Sequence, residues 1–416
     1  MPTSKYLSAD SSIAPILVVA PHLIYPTRDG ADIAIDRRWG ELSRFVSNVD
    51  IVAAQTVVRY QDGKITNMVP FSNKSRSKWK AALQTLFFRS VYTKERFLTR
   101  SFVNASRPYL GDPSYQAVVF SYLATASLGK YLASPTIKRY VLTHNDDVAI
   151  YRNMRKSSRN MLQKLVALMS ERWVRRYGQA AKDDFRFIHV SEDDAAGWRA
   201  AIGEHAYFLG KVGCDLPERR FEKRPPMSRR PVRIIFVGSL GVKMNMDAVQ
   251  HFADNFLPVL SKMIGAVDVR IVGSNPTPAV VKLCGQNGFG LFANVSNDEL
   301  AAQFAWSDFS VLPFPYSTGT KLKLLDSVAR GVPILATGSI GDFPGIGTEA
   351  ACLVSDDPIK WAEHISRWKV TDISDEIRDM LVGTARSWTW GAMAEQFYIE
   401  ELAQPDSNNF EKGIPK

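Results

Sequence analysis

The run Ser317-Thr318-Gly319-Thr320-Lys321, with Asp326 a little further on, concentrates groups that can hold an anion and a hydroxyl. Small residues leave free backbone N–H groups at a helix start, and Lys321 adds a cation beside them, which makes an anion site. Asp326, about one helical turn deeper, can accept hydrogen bonds from hydroxyls. Phosphate donors outside and a carboxylate inside suit a nucleotide with its ribose. The elements that must position these groups are legible around them, from Phe309 to Thr337. Phe309, Val311 and Leu312 read as a strand covered on both faces. Pro313 and Pro315 stop it. Leu322, Leu325 and Ala329 fall on one helical face, and Gly331-Val332-Pro333 ends that helix before a second buried strand.

The same alternation of strand and helix occurs twice along the chain. Ile16 to Ala20 is a buried strand, Ile33 to Val46 an amphipathic helix and Val49 to Ala54 a strand. Ala117 to Phe120, Arg139 to Leu142 and Phe187 to Val190 continue that sheet, with a long helix over Met161 to Ala181 and a capped helix start at Ser191. Asp215 to Pro231 is rich in proline and charge without periodicity and reads as a linker. The pattern then restarts with strands at Val232 to Val237, Val267 to Val272 and Leu291 to Ala293. Helices are expected over Met246 to Leu260, Pro278 to Gln286 and Asp298 to Ala305. Two doubly wound α/β domains facing a cleft follow from this restart. The expected boundaries are a disordered leader over 1–12, a first domain over 13–215, a linker over 216–231, a second domain over 232–387, a crossover helix over 388–404 and a disordered tail over 405–416.

Open α/β sheets bind ligands at the carboxyl ends of their strands. Gly238-Ser239 ends one strand with Lys243 shortly after, and a lysine there either reaches a diphosphate or is simply solvated. Gly273 ends another strand. Val295 lies in Asn294 to Leu300, where Ser296 or Asn297 also reads as a helix cap. Asp146-Asp147 and Asp183-Asp184 read as solvated acids rather than metal ligands. His22, His189, His205, His251 and His364 share no spacing and are not read as ligands. Cys214, Cys284 and Cys352 are far apart, which fits buried hydrophobes in a reduced compartment.

Thr318 to Thr337, TGTKLKLLDSVARGVPILAT, resembles the signature of the retaining glycosyltransferases of family four, which have the GT-B fold. Asp326 stands where that family has the second Glu of its signature, and Thr318 where it has the first. A branch of the family lacks the first Glu in the same way. GSLGVKMNMDAV, from Gly238, resembles the family's variant with Ser239 in place of a basic residue. His144-Asn145 resembles its His-Asn near the transferred sugar, and Gly30 stands where the family has a Gly pair. The resemblance implies a GT-B architecture, a nucleoside-diphosphate sugar as donor, and no metal or other cofactor. It implies catalytic roles for His144, Lys243 and Lys321. It implies substrate contacts for Gly30, Gly238, Ser239, Gly273, Val295, Thr318, Gly319, Thr320 and Asp326. For His144 and Gly30, a satisfied histidine and a plain turn glycine remain the structural alternatives.

A chain of 416 residues suits two domains. No apolar run reaches the roughly 18 residues a bilayer span needs, and Met1 to Ser12 lacks a signal-peptide core. The net charge of +10 is uneven: residues 1–215 hold 31 Lys and Arg against 19 Asp and Glu, the remainder 21 against 23. Much of the excess lies in Lys74 to Arg107, where Glu95 is the lone acid and Trp79, Leu83, Leu86, Phe87, Phe88, Val91 and Tyr92 are interleaved. That segment reads either as an interfacial basic amphipathic helix on an anionic membrane or as a core-facing helix with a solvated basic face. It matches no nucleic-acid-binding motif. The expected activity is retaining transfer of a hexose to a hydroxyl of a glycan or lipid-linked acceptor, in bacterial surface-polysaccharide or glycolipid assembly. The expected place is the cytoplasm or the inner face of the plasma membrane. The alternatives are a non-catalytic GT-B scaffold subunit and a GT-B epimerase.

Overall fold

The computed structural model describes residues 13–27, 30–217, 226–316, 322–340 and 352–403. The chain divides into two compact units, residues 1–212 with 393–416, and residues 213–392. The expected disordered leader (1–12) and tail (405–416) lie outside the described residues.

The first unit is built on an eight-stranded sheet: β1 (Ile16–Val19), β2 (Val49–Val52), β3 (Thr56–Gln61), β4 (Lys64–Pro70), β5 (Ala117–Ser121), β6 (Lys138–Thr143), β7 (Arg186–His189) and β8 (Tyr207–Leu209). Their order is β4-β3-β2-β1-β5-β6-β7-β8. Every residue of β1, β2 and β5 is buried, because helices cover both faces. β1 pairs in parallel with both β2 and β5, so the strand order reverses there. The β3–β4 hairpin was not read from sequence. Its signal is Asp62-Gly63, both at positive φ (48° and 73°), a turn whose twist suits a hairpin.

The second unit holds six parallel strands: β9 (Val232–Val237), β10 (Val267–Gly273), β11 (Gly290–Ala293), β12 (Phe309–Leu312), β13 (Ile334–Ala336) and β14 (Cys352–Val354). The order β11-β10-β9-β12-β13-β14 is that of a dinucleotide-binding sheet, with its reversal between β9 and β12. The two units are thus both Rossmann-like.

Several expected bounds shift. The first helix spans Gly30–Leu42 rather than 33–46. The helix expected from Met246 starts at Lys243, and a π turn at Phe252–Phe256 interrupts it before Leu257–Ile264. The unit boundary falls at 212/213, ahead of the expected linker. Residues 218–225 lie outside the described residues, but the end of that segment is not free. Met227 is fully buried, and Arg230 grips Asp308 with two bonds of 2.7 and 2.8 Å. The Asp308 carboxylate also accepts from the Arg233 N–H.

The helix Trp390–Phe397 begins in the second unit, and from Met393 on its residues belong to the first. Phe397 packs against Trp39, Tyr140 and Phe208 at ring distances of 5.3 to 5.7 Å. Glu401 pairs with Arg186 at 2.8 Å.

Candidate active site

Each sheet reverses its strand order once, and of the residues expected in the site Gly238 and Ser239 stand at the carboxyl end of a strand there, whereas Gly273, Val295 and His144 stand at the ends of other strands. In the second unit the strand ends at the reversal carry Gly238-Ser239 after β9 and Pro313 to Tyr316 after β12. Gly273 is obligatory: a Cβ there would overlap the Gly238 carbonyl oxygen, so only glycine lets the ends of β9 and β10 approach so closely. The Leu240 N–H then donates to Ser274 O (2.7 Å) and the Asn294 N–H to Gly273 O (3.0 Å), lacing the ends of β9, β10 and β11.

The helix Leu322–Ala329 is fixed behind this end. Leu324, Leu325, Val328 and Ala329 are buried, and Ser327 Oγ donates to Ser310 Oγ of β12 (2.8 Å). The C-terminus closes as expected: Gly331 has φ +60°, its N–H donates to Val328 O, and the Val332 N–H donates to Ser327 O. Thr318, Gly319, Thr320 and Lys321 lie outside the described residues.

Lys323 was not singled out in the sequence. Its Cε would lie 2.9 Å from a Cβ on Gly238, and its ammonium sits 5.6 Å from the Phe314 ring centre. Lys323 therefore spans from the helix to the ends of β9 and β12. Burial lowers its pKa, opposed by Asp326. Lys323 forms no ion pair among the described residues. Beside it, Asn245 is buried; its Nδ2 donates to Ser239 O (2.7 Å), and its Oδ1 has no partner among the described residues. The signal in the sequence is spacing: Lys323 lies one helical turn before Asp326 and Ser327.

Lys243 has a different setting. Its side chain is 79% exposed and its ammonium holds both oxygens of Asp247 at 2.7 and 2.8 Å. The Tyr316 hydroxyl donates to the same carboxylate. Asp326 Oδ1 accepts from Arg330 at 3.1 Å. Burial raises the Asp326 pKa and Arg330 counters it. Val295 is half-buried against the core group of Ile235, Val272, Phe304 and Val332. Ser296 is the helix cap, with Glu299 completing a capping box.

In the first unit the reversal lies between β1 and β5, whose ends lead to His22 and to Tyr122 at φ +70°. His144 follows β6. The three rings meet: His22–Tyr122 4.7 Å, Tyr122–His144 4.4 Å and His22–His144 5.6 Å. His144 Nε2 and Ser121 Oγ share a hydrogen bond of 2.7 Å. Burial, then His22 and Arg38, hold the His144 pKa well below its ordinary value, so the imidazole is neutral at pH 7. The sequence reading set His22 aside for want of shared spacing; the fold brings it to His144 through two different strand ends. His189 and His205 also meet, Nε2 to Nε2 at 2.8 Å, with Thr143 Oγ1 on His189 Nδ1. That pair is core structure, and burial pushes His189 down to about 3.

Asp146, expected to be a solvated acid, is a helix N-cap, held in turn by Asp194. Asp146 accepts from the Ala149 N–H (2.9 Å), and Asp194 accepts from the Asp146 N–H (3.0 Å). Asp147 between them is pushed up to about 7 by burial and by those two carboxylates. Asp183 and Asp184 are exposed. Gly30 is the first residue of the Gly30–Leu42 helix. Among the described residues no group of His, Cys, Asp and Glu is arranged to hold a metal ion, and no helix is long and apolar enough to cross a membrane.

Residues 231–369 match the family described as "Glycosyl transferases group 1". No curated protein sequence matches the chain. Among solved structures it is similar to sucrose-phosphate synthase from Thermosynechococcus elongatus, with TM-score 0.65 and 15% identity over 92% of this chain and 97% of that one. It is similar to WaaG, a glycosyltransferase involved in lipopolysaccharide biosynthesis, with TM-score 0.58 and 12% identity over 94% of this chain and 100% of that one. The catalytic domain of starch synthase IV from Arabidopsis thaliana, bound to ADP and acarbose, aligns with TM-score 0.56 and 10% identity over 93% and 98%. Sheet order and these likenesses agree: the chain has the GT-B fold, and its residues 231–369 match the glycosyl transferases group 1 family.

Proposed function

We propose that the chain is a retaining, metal-independent glycosyltransferase that moves a hexose from a nucleoside-diphosphate sugar to an acceptor hydroxyl. The observation that carries the reading is the end of β9 and β12, where Gly238, Asn245 and the half-buried Lys323 converge inside the family-matched segment. A half-buried ammonium that Asp326 influences but does not pair with among the described residues favours a diphosphate. Thr318 to Lys321 would add backbone donors at the start of the following helix. Asp326 would take ribose hydroxyls with the oxygen that Arg330 leaves free.

In the first unit, neutral His144 offers a ring nitrogen to a sugar hydroxyl while Ser121 fixes the ring. Retention would follow from holding the acceptor hydroxyl on the face from which the diphosphate leaves, with Lys323 and Lys321 stabilising the departing charge. The starch synthase structure that shares the fold carries ADP, which supports a nucleotide in the corresponding fold. The WaaG likeness supports an acceptor of the surface-glycan or lipid-linked kind.

A thermal-shift panel of UDP-, GDP-, dTDP- and ADP-sugars tests the reading. One donor should raise Tm by several degrees, and Lys323→Met should abolish the shift. No shift with any donor would move the assignment to a non-catalytic GT-B subunit.

A further inference from the structure

The helix Lys78–Phe87 is turned inside out. Ala81 and Thr85, one turn apart, are fully buried, and Thr85 Oγ1 donates back to Ala81 O at 2.8 Å. Trp79, Leu83 and Phe87 repeat at the same spacing on the outer face, with exposures of 61%, 45% and 82%. Phe88 follows at 60%. A helix of a water-soluble surface shows the reverse order, large apolar residues inward. The sequence admitted a core-facing helix here, and the structure rules it out for these four side chains.

The exposed apolar surface continues onto neighbouring helices. Lys78–Phe87 packs against Met161–Ala181, which packs against Asp147–Ser157. Those two helices add exposed Met154, Met161 and Leu165, from a region outside the basic segment recognised in the sequence. Arg107, by contrast, lies over Tyr131 on another helix and is not part of this face.

Charge says what covers it. Residues 74–94 contain six Lys and Arg, and residues 148–170 five; neither span contains an Asp or Glu. Lys74, Lys78, Lys80, Arg89, Lys156 and Arg159 are exposed. A second copy would set these cations against themselves, which disfavours self-association. Aromatic and thioether side chains flanked by cations match the headgroup boundary of an anionic bilayer, where rings enter the acyl edge and ammonium and guanidinium groups meet lipid phosphates.

We propose that the outer stripe of Lys78–Phe87, with Phe88, Met161 and Leu165, inserts into anionic membrane as the lipid-binding face of the first unit. This goes beyond sugar transfer and needs no donor turnover to be tested. If transfer also holds, the face would deliver the enzyme to acceptors carried on lipid.

The test is flotation of the full chain with vesicles of phosphatidylcholine alone and with about one-third phosphatidylglycerol, at low and high salt. The chain should float with the anionic vesicles only, and high salt should release it. Phe87→Ser with Phe88→Ser, and Lys78→Glu with Lys80→Glu, should each weaken partitioning about tenfold or more. Val370→Ser, which removes an exposed valine of the second unit, should change nothing. All these side chains are exposed, and unchanged melting curves would show the variants folded. Equal flotation with neutral vesicles, or full binding by both double variants, would overturn the proposal. So would a lipid-free dimer that Phe87→Ser with Phe88→Ser dissolves, which would assign the face to a second copy.

Discussion

The two sheets reverse their strand order in the same way, yet the two strand-end sites are built from opposite chemistry. The first unit gathers His22, Tyr122 and Ser121 around His144, whose imidazole burial keeps neutral at pH 7, and the next helix begins with Asp147, a carboxyl that burial holds partly protonated. The second gathers glycines, a buried amide and the Lys323 ammonium. A neutral imidazole among hydroxyl and ring groups suits sugar hydroxyls, and a cationic site with bare backbone suits a diphosphate. The fold supplies a place twice, and the side chains decide what each place can hold.

The sharpest way to break this contrast is at Gly273. Gly273→Ala pushes a methyl into the Gly238 backbone carbonyl, which has no flexible side chain to yield. We expect a loss of roughly 2–4 kcal/mol in urea unfolding, together with donor binding. A variant that melts like the parent would mean that β9 and β10 do not need that approach.

The next test separates three lysines. Lys323→Met should weaken donor affinity about ten- to a hundredfold, the value of a charge-assisted bond to a phosphate. Lys243→Met should change it by no more than about twofold, because Lys243 is exposed and already chelates Asp247. If Lys243 matters more than Lys323 in isothermal titration with the donor, the centre of the anion site lies elsewhere along the β9 turn. Lys321→Ala, read in the same titration, completes the ranking.

These residues also show how far sequence reaches. Val232–Val237 and Met161–Ala181 were read to the residue because an apolar period and clear stops marked them. The places of Gly238, Gly273 and His144 at strand ends were legible because the strands before them were, and strand ends in an α/β sheet meet at one edge. His22 was not, because its partner follows a different strand and no spacing along the chain records that β5 stands between β1 and β6. Lys323 was hidden by Lys321: a lysine's reach depends on which helical face its turn presents, and that is settled by Ser327 docking on Ser310. The outward stripe of Lys78–Phe87 was ambiguous for a related reason. Periodicity reveals two faces, but only packing shows which one is covered, and there the small face won.

For the first unit, His144→Phe should leave donor affinity unchanged and lower kcat about tenfold or more, the loss of one positioned hydrogen bond in the transition state. His144→Asn, which keeps a polar group near Ser121, should recover part of the rate. Because His144 stays neutral, it should give the rate no step near pH 6.5. Such a step, removed by His144→Asn, would show that the imidazole titrates and that the site is not held neutral.

The smallest effect probes that neutrality through stability. Asp147 has an ordinary pKa of 3.8 and stands at about 7 in the fold, raised by burial first and then by Asp146 and Asp194. Its protonated form is therefore the one the native state favours. Below pH 3.8 folded and unfolded chains both carry the proton and the group costs nothing. Between 3.8 and about 7 the folded chain holds more protons than the unfolded one, so stability declines as pH rises. Above 7 the full cost of a buried carboxylate is present. Asp147→Asn, which keeps the shape and removes the charge, should raise Tm by a few degrees at pH 8 and leave it unchanged at pH 4. Tyr151, whose own pKa Asp147 helps to raise, reports the same charge from the neighbouring turn. An Asn variant less stable at pH 8 than the parent would mean that the carboxylate is solvated or paired in the native state. The first unit's strand-end site would then hold charge after all, and its contrast with Lys323 would be one of sign rather than of charge against neutrality.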